Sequence, residues 1–252
     1  MKIVVIGGTG LIGKRLVNEL IVKGHEAIAA SPSSGVNTLT GVGLAEVFDG
    51  THAVVDVSNS PSFEETAVLN FFETSTRNIV AAGKAAGVSH YVALSVVGAD
   101  RLAAGGYMRA KIAQELLIKA SGLQFTILRA TQFFEFLSAI ADTATQEDVV
   151  RLPSALMQPL AADDVATTLV DVVLSKPANV ILEVAGPERL PMADLVRRAL
   201  VAKHDPRNVI ADPNATYFGY MIDDNSLNPS THNPRIAPTR LDDWLLHTTT
   251  SK

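Results

Sequence analysis

The segment "KIVVIGGTGLIGKRL" constrains this chain more than any other stretch. "KIVVIG" is a short, wholly apolar, β-branched run, the pattern of a strand covered on both faces. "LIGKRLVNELIVKG" then has helical periodicity and meets a helix stop at Gly24. Between the two, Gly7, Gly10 and Gly13 stand in G-x-x-G-x-x-G spacing. Glycines in a strand-to-helix turn let the backbone approach a pyrophosphate, while the helix start supplies N–H donors and the positive end of its dipole. The plain alternative is a tight turn that follows a strand. The candidate dinucleotide contacts in this loop are Gly7, Thr9, Gly10, Leu11, Ile12 and Gly13.

A strand buried on both faces needs neighbours of its own kind, and the chain supplies them. "HEAIAAS", "HAVVDVS", "HYVALSVV" and "QFTILRA" read as further strands. Helical patterns separate them: a short one in "GLAEVFDG", a long one over about 63–86, and one over about 107–121. This alternation predicts an α/β fold, a Rossmann-like doubly wound parallel sheet with helices on both faces. The sheet core is expected over about 1–132, with a returning helix and strand within 161–186. Segments of about 133–160 and 187–252 then form a small C-terminal substrate lobe, the whole of 1–252 making one unit. The tail "DPNATYFGYMIDDNSLNPSTHNPRIAPTR" is rich in Pro, Asn and Asp and is expected to be mostly loop.

Composition narrows the function. With 252 residues, 47% of them hydrophobic, a sizeable core is available. A net charge of −5 without a basic run argues against a nucleic-acid surface. The absence of cysteine excludes disulfides, thiolate catalysis and zinc–sulfur sites, and the 6 histidines show no metal-ligand spacing. No apolar run approaches the ~18–20 residues of a membrane helix, and the amino terminus lacks the pattern of a signal peptide. The expectation is a soluble, cytoplasmic monomer or homodimer whose partner is a small molecule, with no metal, nucleic acid or membrane.

Three stretches carry candidate chemistry. In "YMRAK", Tyr107 and Lys111 lie four apart and share a helical face. Ser95 ends the strand "HYVALS", at the sheet edge where open α/β folds bind ligands. Each has a blander alternative: an aromatic that shapes a pocket, and a strand-end hydroxyl bonded to backbone. After the second strand, "AASPSSG" has no carboxylate. A ribose 2′-phosphate is therefore not repelled, and Ser31, Ser33 and Ser34 offer donors, so NADP(H) is favoured over NAD(H). An ordinary Ser/Pro turn is the competing reading. Asp56 and Asn59 in "DVSNSPS" either touch cofactor ribose or cap the strand.

The wording of "GGTGLIG", "NIVAAGKAAGVSHYVALS" and "YMRAKIAQELLIKASGLQFTILRATQFFEF" resembles the short-chain dehydrogenase/reductase superfamily. The likeness is to its atypical, extended members and among them the NmrA-like branch, over about residues 1–190. The resemblance implies an NAD(P)H-dependent reductase of a carbonyl or quinone, with aromatic or polycyclic compounds among the expected substrates. In that scheme Tyr107 donates the proton, Ser95 polarises the substrate oxygen, and Lys111 holds the nicotinamide ribose and lowers the Tyr pKa. It also implies that Thr131 and Gln132 meet the nicotinamide carboxamide or the substrate, with Phe133 and Phe134 as an aromatic wall. One position departs from the pattern: where extended relatives carry a relay Asn, counting back from Asn78 reaches Phe72. The branch also contains a non-catalytic, NADP-sensing type of protein, which stands as the alternative function.

Overall fold

The computed structural model describes residues 1–103 and 105–249. Strand β1 (Lys2–Ile6) leads into α1 (Leu11–Val22), then β2 (Glu26–Ala30), α2 (Leu44–Phe48), β3 (Ala53–Asp56) and α3 (Glu65–Ala85). Next come β4 (His90–Val96), α4 (Gly106–Lys119), β5 (Phe125–Ala130), α5 (Leu137–Thr143), β6 (Thr145–Gln146) and β7 (Val149–Leu152). The chain continues through β8 (Leu156–Met157), α6 (Ala162–Leu174), β9 (Ile181–Ala185), β10 (Leu190–Pro191) and α7 (Met192–Ala202). It closes with β11 (Asn208–Ala211), β12 (Arg235–Ile236) and α8 (Leu241–Thr249).

Among the described residues, seven strands join one sheet in the order β12-β9-β5-β4-β3-β1-β2. Val4 pairs in parallel with Ile28 on one side and Val54 on the other. At the far side, Ile127 and Thr131 donate to the carbonyls of Val180 and Val184, steps that also run in the same direction. The expected Rossmann-like parallel sheet is therefore the fold. Strand order reverses between β1 and β3: β2 lies on one flank of β1, and the chain crosses back to place β3 on the other. Such a switch point is where open α/β sheets bind ligands, outside the carboxyl ends of the strands.

The chain divides into two compact units, one of residues 1–129 and 165–182, the other of 130–164 and 183–252. In the first, α1 buries Ile12, Leu16 and Leu20, a four-residue step that keeps one face on the sheet. Val4, Ile6, Phe48, Val54, Ile79, Tyr91, Ile118 and Ile127 form its main core. A second cluster of Val68, Phe72 and Ala110, with Tyr107 packed on it, joins α3 to α4. The second unit carries a three-stranded sheet, β11-β7-β6, and the pair β10-β8. Its tail is mostly turn and loop, with β12 as the regular exception. Asp164, in the first turn of α6, holds that tail by accepting bonds from the Thr239 amide and hydroxyl at 3.1 and 3.0 Å.

Candidate functional site

The glycines of the loop divide by what surrounds them. Gly7 has φ +79°, and a Cβ there would lie 2.9 Å from the Ser58 backbone after β3. Gly8 and Gly13 are as tight: added carbons would sit 2.6 Å from Ala29 Cα and 2.2 Å from Gly7 O. Those three serve the turn and the closeness of strand to helix. Gly10 differs, because a Cβ there would meet only Gly7 O at 3.3 Å. Gly10 is exposed at the start of α1, and no side chain caps that start. The unmade amide bonds of the first helical turn and the bare Gly10 surface fit a pyrophosphate. Gly8 is the loop residue that motif spacing passes over.

The serines after β2 bond chiefly to each other. Ser31 N–H donates to Ser34 Oγ at 2.9 Å, and the Ser31 and Ser33 hydroxyls lie 2.8 Å apart. Ser34 Oγ is also 3.0 Å from the carbonyls of Ala29 and Ser31. They build a capping box on the short turn Pro32–Ser34. Nearby, the Arg15 guanidinium donates to Leu11 O at 2.8 Å within its own helix. Asn59 is exposed and accepts from the Ser60 amide at 3.1 Å.

Asp56 is almost fully buried and sits at the centre of a polar network. Its Oδ1 accepts from the Ser58 amide and hydroxyl at 3.0 and 2.6 Å. Its Oδ2 accepts from Tyr91 OH at 3.1 Å and Gln114 Nε2 at 2.9 Å. Burial, reinforced by Asp56, pushes the Tyr91 phenol well above its ordinary pKa. Gln114 passes the network on to Lys111, whose Nζ donates to Gln114 Oε1 and, at 2.8 Å, to Leu94 O. The same ammonium lies 4.4 Å above the centre of the Phe72 ring. Phe72 thus gives the lysine a π face where the relay Asn was expected. Burial lowers the Lys111 pKa to about 8, with Asp56 and Glu115 pulling the other way.

Tyr107 belongs to the same neighbourhood but to different partners. Its ring packs edge-on to Phe72 at 6.0 Å and tilted against Phe63 at 5.7 Å. Burial alone raises its pKa to about 12, so the phenol moves opposite to the depression that the Tyr/Lys pattern implies. Ser95 Oγ donates to Glu115 at 2.7 Å. Arg129 grips the same carboxylate with two bonds of 2.8 Å and reaches Asp100 at 3.1 Å. The Ser95 proton is therefore committed to a buried ion pair. Gln114 and Glu115 were not singled out by motif, although they stand three and four residues beyond Lys111 on the inward side of α4.

In the second unit, Thr131 Oγ1 donates to Gln158 O at 2.6 Å. The Gln132 side-chain oxygen is buried without a hydrogen-bond partner among the described residues. Phe134 is buried and packs on Trp244 at 5.6 Å, while the partly exposed Phe133 stacks on Phe136 at 5.5 Å. No group of acidic or histidine side chains among the described residues could hold a metal.

A sequence profile described as NAD(P)H-binding matches residues 7–176. Photosystem II assembly factor Ycf39 of Cyanophora paradoxa is 23% identical over 215 residues, covering 78% of this chain and 67% of that protein. The chloroplastic divinyl chlorophyllide a 8-vinyl-reductase of Cucumis sativus is 26% identical over 223 residues, covering 74% of this chain. This chain spans 53% of that reductase's length. Among solved structures, the UDP-glucose 4-epimerase of Thermotoga maritima with UDP-glucose superposes with a TM-score of 0.76 over 99% of this chain and 98% of its own. At 15% identity that is a likeness of fold.

Proposed function

The chain belongs to the NAD(P)H-binding family, and from that premise we propose that it is a reductase of a carbonyl or quinone, using NADPH in preference to NADH. The observation that carries the reading is geometric: Tyr107 and Lys111 stand four apart on α4 and both pack on Phe72. The phenol is protonated throughout the neutral range, as an unperturbed tyrosine also is, and burial acts in the same direction. That is the form a reduction needs, since the substrate oxygen gains electron density and must receive a hydrogen bond and then a proton. Alcohol oxidation needs the phenolate instead, which burial disfavours.

A bound nicotinamide supplies the hydride. This chain's own part is to hold the pyrophosphate at Gly10 and the first turn of α1, and to offer the Lys111 ammonium to ribose hydroxyls. Leu94 O and Gln114, the latter held in turn by Asp56, fix that ammonium by hydrogen bonds, so little reorganisation is required when the ribose arrives. The missing carboxylate at Ser31 supports NADP(H), since no negative side chain stands there to repel a ribose 2′-phosphate. A relative whose name describes a reductase supports the reaction class. With a quinone, water can protonate the product oxygens and Tyr107 matters less.

The second reading, a non-catalytic NADP-sensing protein of NmrA type, draws on Ser95, whose proton goes to Glu115. One assay separates the two. Oxidation of NADPH, followed by its absorbance with a panel of quinones and ketones, is expected in the wild type. Tyr107→Phe should keep NADPH affinity and lose ketone reduction by ~10²–10⁴-fold, the range for a positioned acid–base group. NADPH binding with no turnover across the panel would favour the sensor.

A further inference from the structure

We propose that Phe63 and Tyr107 together form the seat for the substrate's ring, so that the preferred substrates are flat aromatic carbonyl compounds or quinones of one or more fused rings. The inference rests on the reductase reading and names the substrate class for that same site. Phe63 is 69% exposed, though its ring lies only 5.7 Å from that of Tyr107 and is tilted 46° to it. A lone exposed aromatic needs no explanation. This one continues a chain of rings, with Phe72 at 6.0 Å from Tyr107 and Phe71 at 5.2 Å from Phe72. The inner three are packed against the α3–α4 cluster, and Phe63 alone among them presents most of its surface outward.

The seat is fixed in place. Phe63 immediately precedes Glu64, whose carboxylate caps the start of α3 by accepting the amides of Thr66 and Ala67 at 3.0 and 2.8 Å. Glu65 pairs with Arg109 on α4 at 2.7 Å. Gly106 allows this approach, because a Cβ there would lie 3.1 Å from Glu65 Cα. The glycine before Tyr107 thus brings the start of α3, and Phe63 with it, against the start of α4. The Tyr107 hydroxyl has no hydrogen-bond partner among the described residues, leaving its donor for a ligand. An exposed aromatic face beside an unengaged phenol suits a planar ring that stacks on the first and accepts from the second. A saturated, puckered ring offers the same oxygen but no flat face.

Binding to the NADP⁺-loaded protein tests this without turnover, because the oxidised nicotinamide has no hydride to give. The probes are menadione, a flat bicyclic quinone, and decalone, a saturated bicyclic ketone, both measured by equilibrium dialysis. The chain has no cysteine for the quinone to alkylate. Menadione is expected to bind more tightly than decalone. Phe63→Ala should weaken menadione by roughly tenfold, as loss of stacking and contact area implies, and leave decalone and NADP⁺ affinities unchanged. Phe63→Tyr should restore menadione binding, and exposure of the position means that both variants fold. Equal menadione affinity in wild type and Phe63→Ala, or no binding to wild type, overturns the seat. So does a loss of NADP⁺ affinity in Phe63→Ala, which would give the ring to the cofactor. A failed reductase reading looks different: menadione binds as described, yet no member of the panel is reduced by NADPH.

Discussion

At the scale of single residues, Lys111 is the group whose environment most limits what it can do. It is held by Leu94 O, Gln114 and the Phe72 ring, and burial has already brought its pKa to about 8. Below that value the ammonium is present and available to a ribose; above it the amine is neutral and loses that attraction. NADPH affinity in the wild type should therefore fall as pH rises through about 8. Lys111→Arg removes the titration, since a guanidinium stays charged to beyond pH ~12. Dissociation constants measured from about pH 7 to about pH 9 should slope for the wild type and lie flat for the variant. A wild-type profile without a limb near 8 would detach Lys111 from cofactor binding. The Tyr-x-x-x-Lys spacing was legible in the sequence because both residues lie on one helix. Its partners were not: Asp56 comes from β3 and Phe72 from α3, and only the fold gathers them. The reversed direction of the Tyr107 shift was equally hidden, since it comes from burial in the fold rather than from a charge near it in sequence.

At the scale of elements, the glycine loop makes two predictions that separate folding from binding. Gly13→Ala would set a carbon 2.2 Å from Gly7 O, with backbone on both sides and nowhere to relax. It should destabilise the protein by about 1–3 kcal/mol, the usual cost of overpacking, and lower the thermal midpoint. Gly10→Glu has space for its first carbon, so its melting curve should stay near that of the wild type. Its carboxylate, however, would occupy and repel the pyrophosphate position, and NADPH titration should show binding abolished. A folded Gly10→Glu variant with unchanged NADPH affinity would remove the loop from the cofactor site. The sequence reads well wherever an element is long and apolar on one face. β1, α1, α3 and the returning α6 and β9 were all visible from their pattern. The strands β6, β7, β8, β10 and β11 were not, being of two to four residues, too short for periodicity to register. β6 and β7 pair locally, through Gln146 beside Val149, but the other pairings depend on partners far along the chain, such as Val209 beside Val150 and Leu190 beside Met157.

At the scale of the whole molecule, acid stability should be governed in part by one residue far from the glycine loop. His90 begins β4, is buried, and shares a 2.9 Å hydrogen bond between its Nε2 and Thr126 Oγ1 on β5. Burial lowers its pKa to about 4, and the nearby His52 acts in the same direction. In the unfolded chain the same imidazole takes a proton near pH ~6.5. Between those values the unfolded state binds more protons than the folded one, so stability rises with pH there and falls as the solution is acidified. The loss is complete only below about 4, where the folded protein also protonates the ring, and amounts to no more than about 3 kcal/mol. The window overlaps the isoelectric point of 5.7, where a chain with little net charge tends to associate. Urea unfolding of wild type alone would mix the two effects, so the comparison must be with His90→Gln, which keeps a polar group facing Thr126 and removes the titration. Urea midpoints at neutral pH and at about pH 5 are expected to drop distinctly for the wild type and much less for the variant. Equal drops would mean that acid sensitivity arises elsewhere, in carboxylates such as Asp100, which burial alone would raise but Arg129 draws below the ordinary carboxylate range.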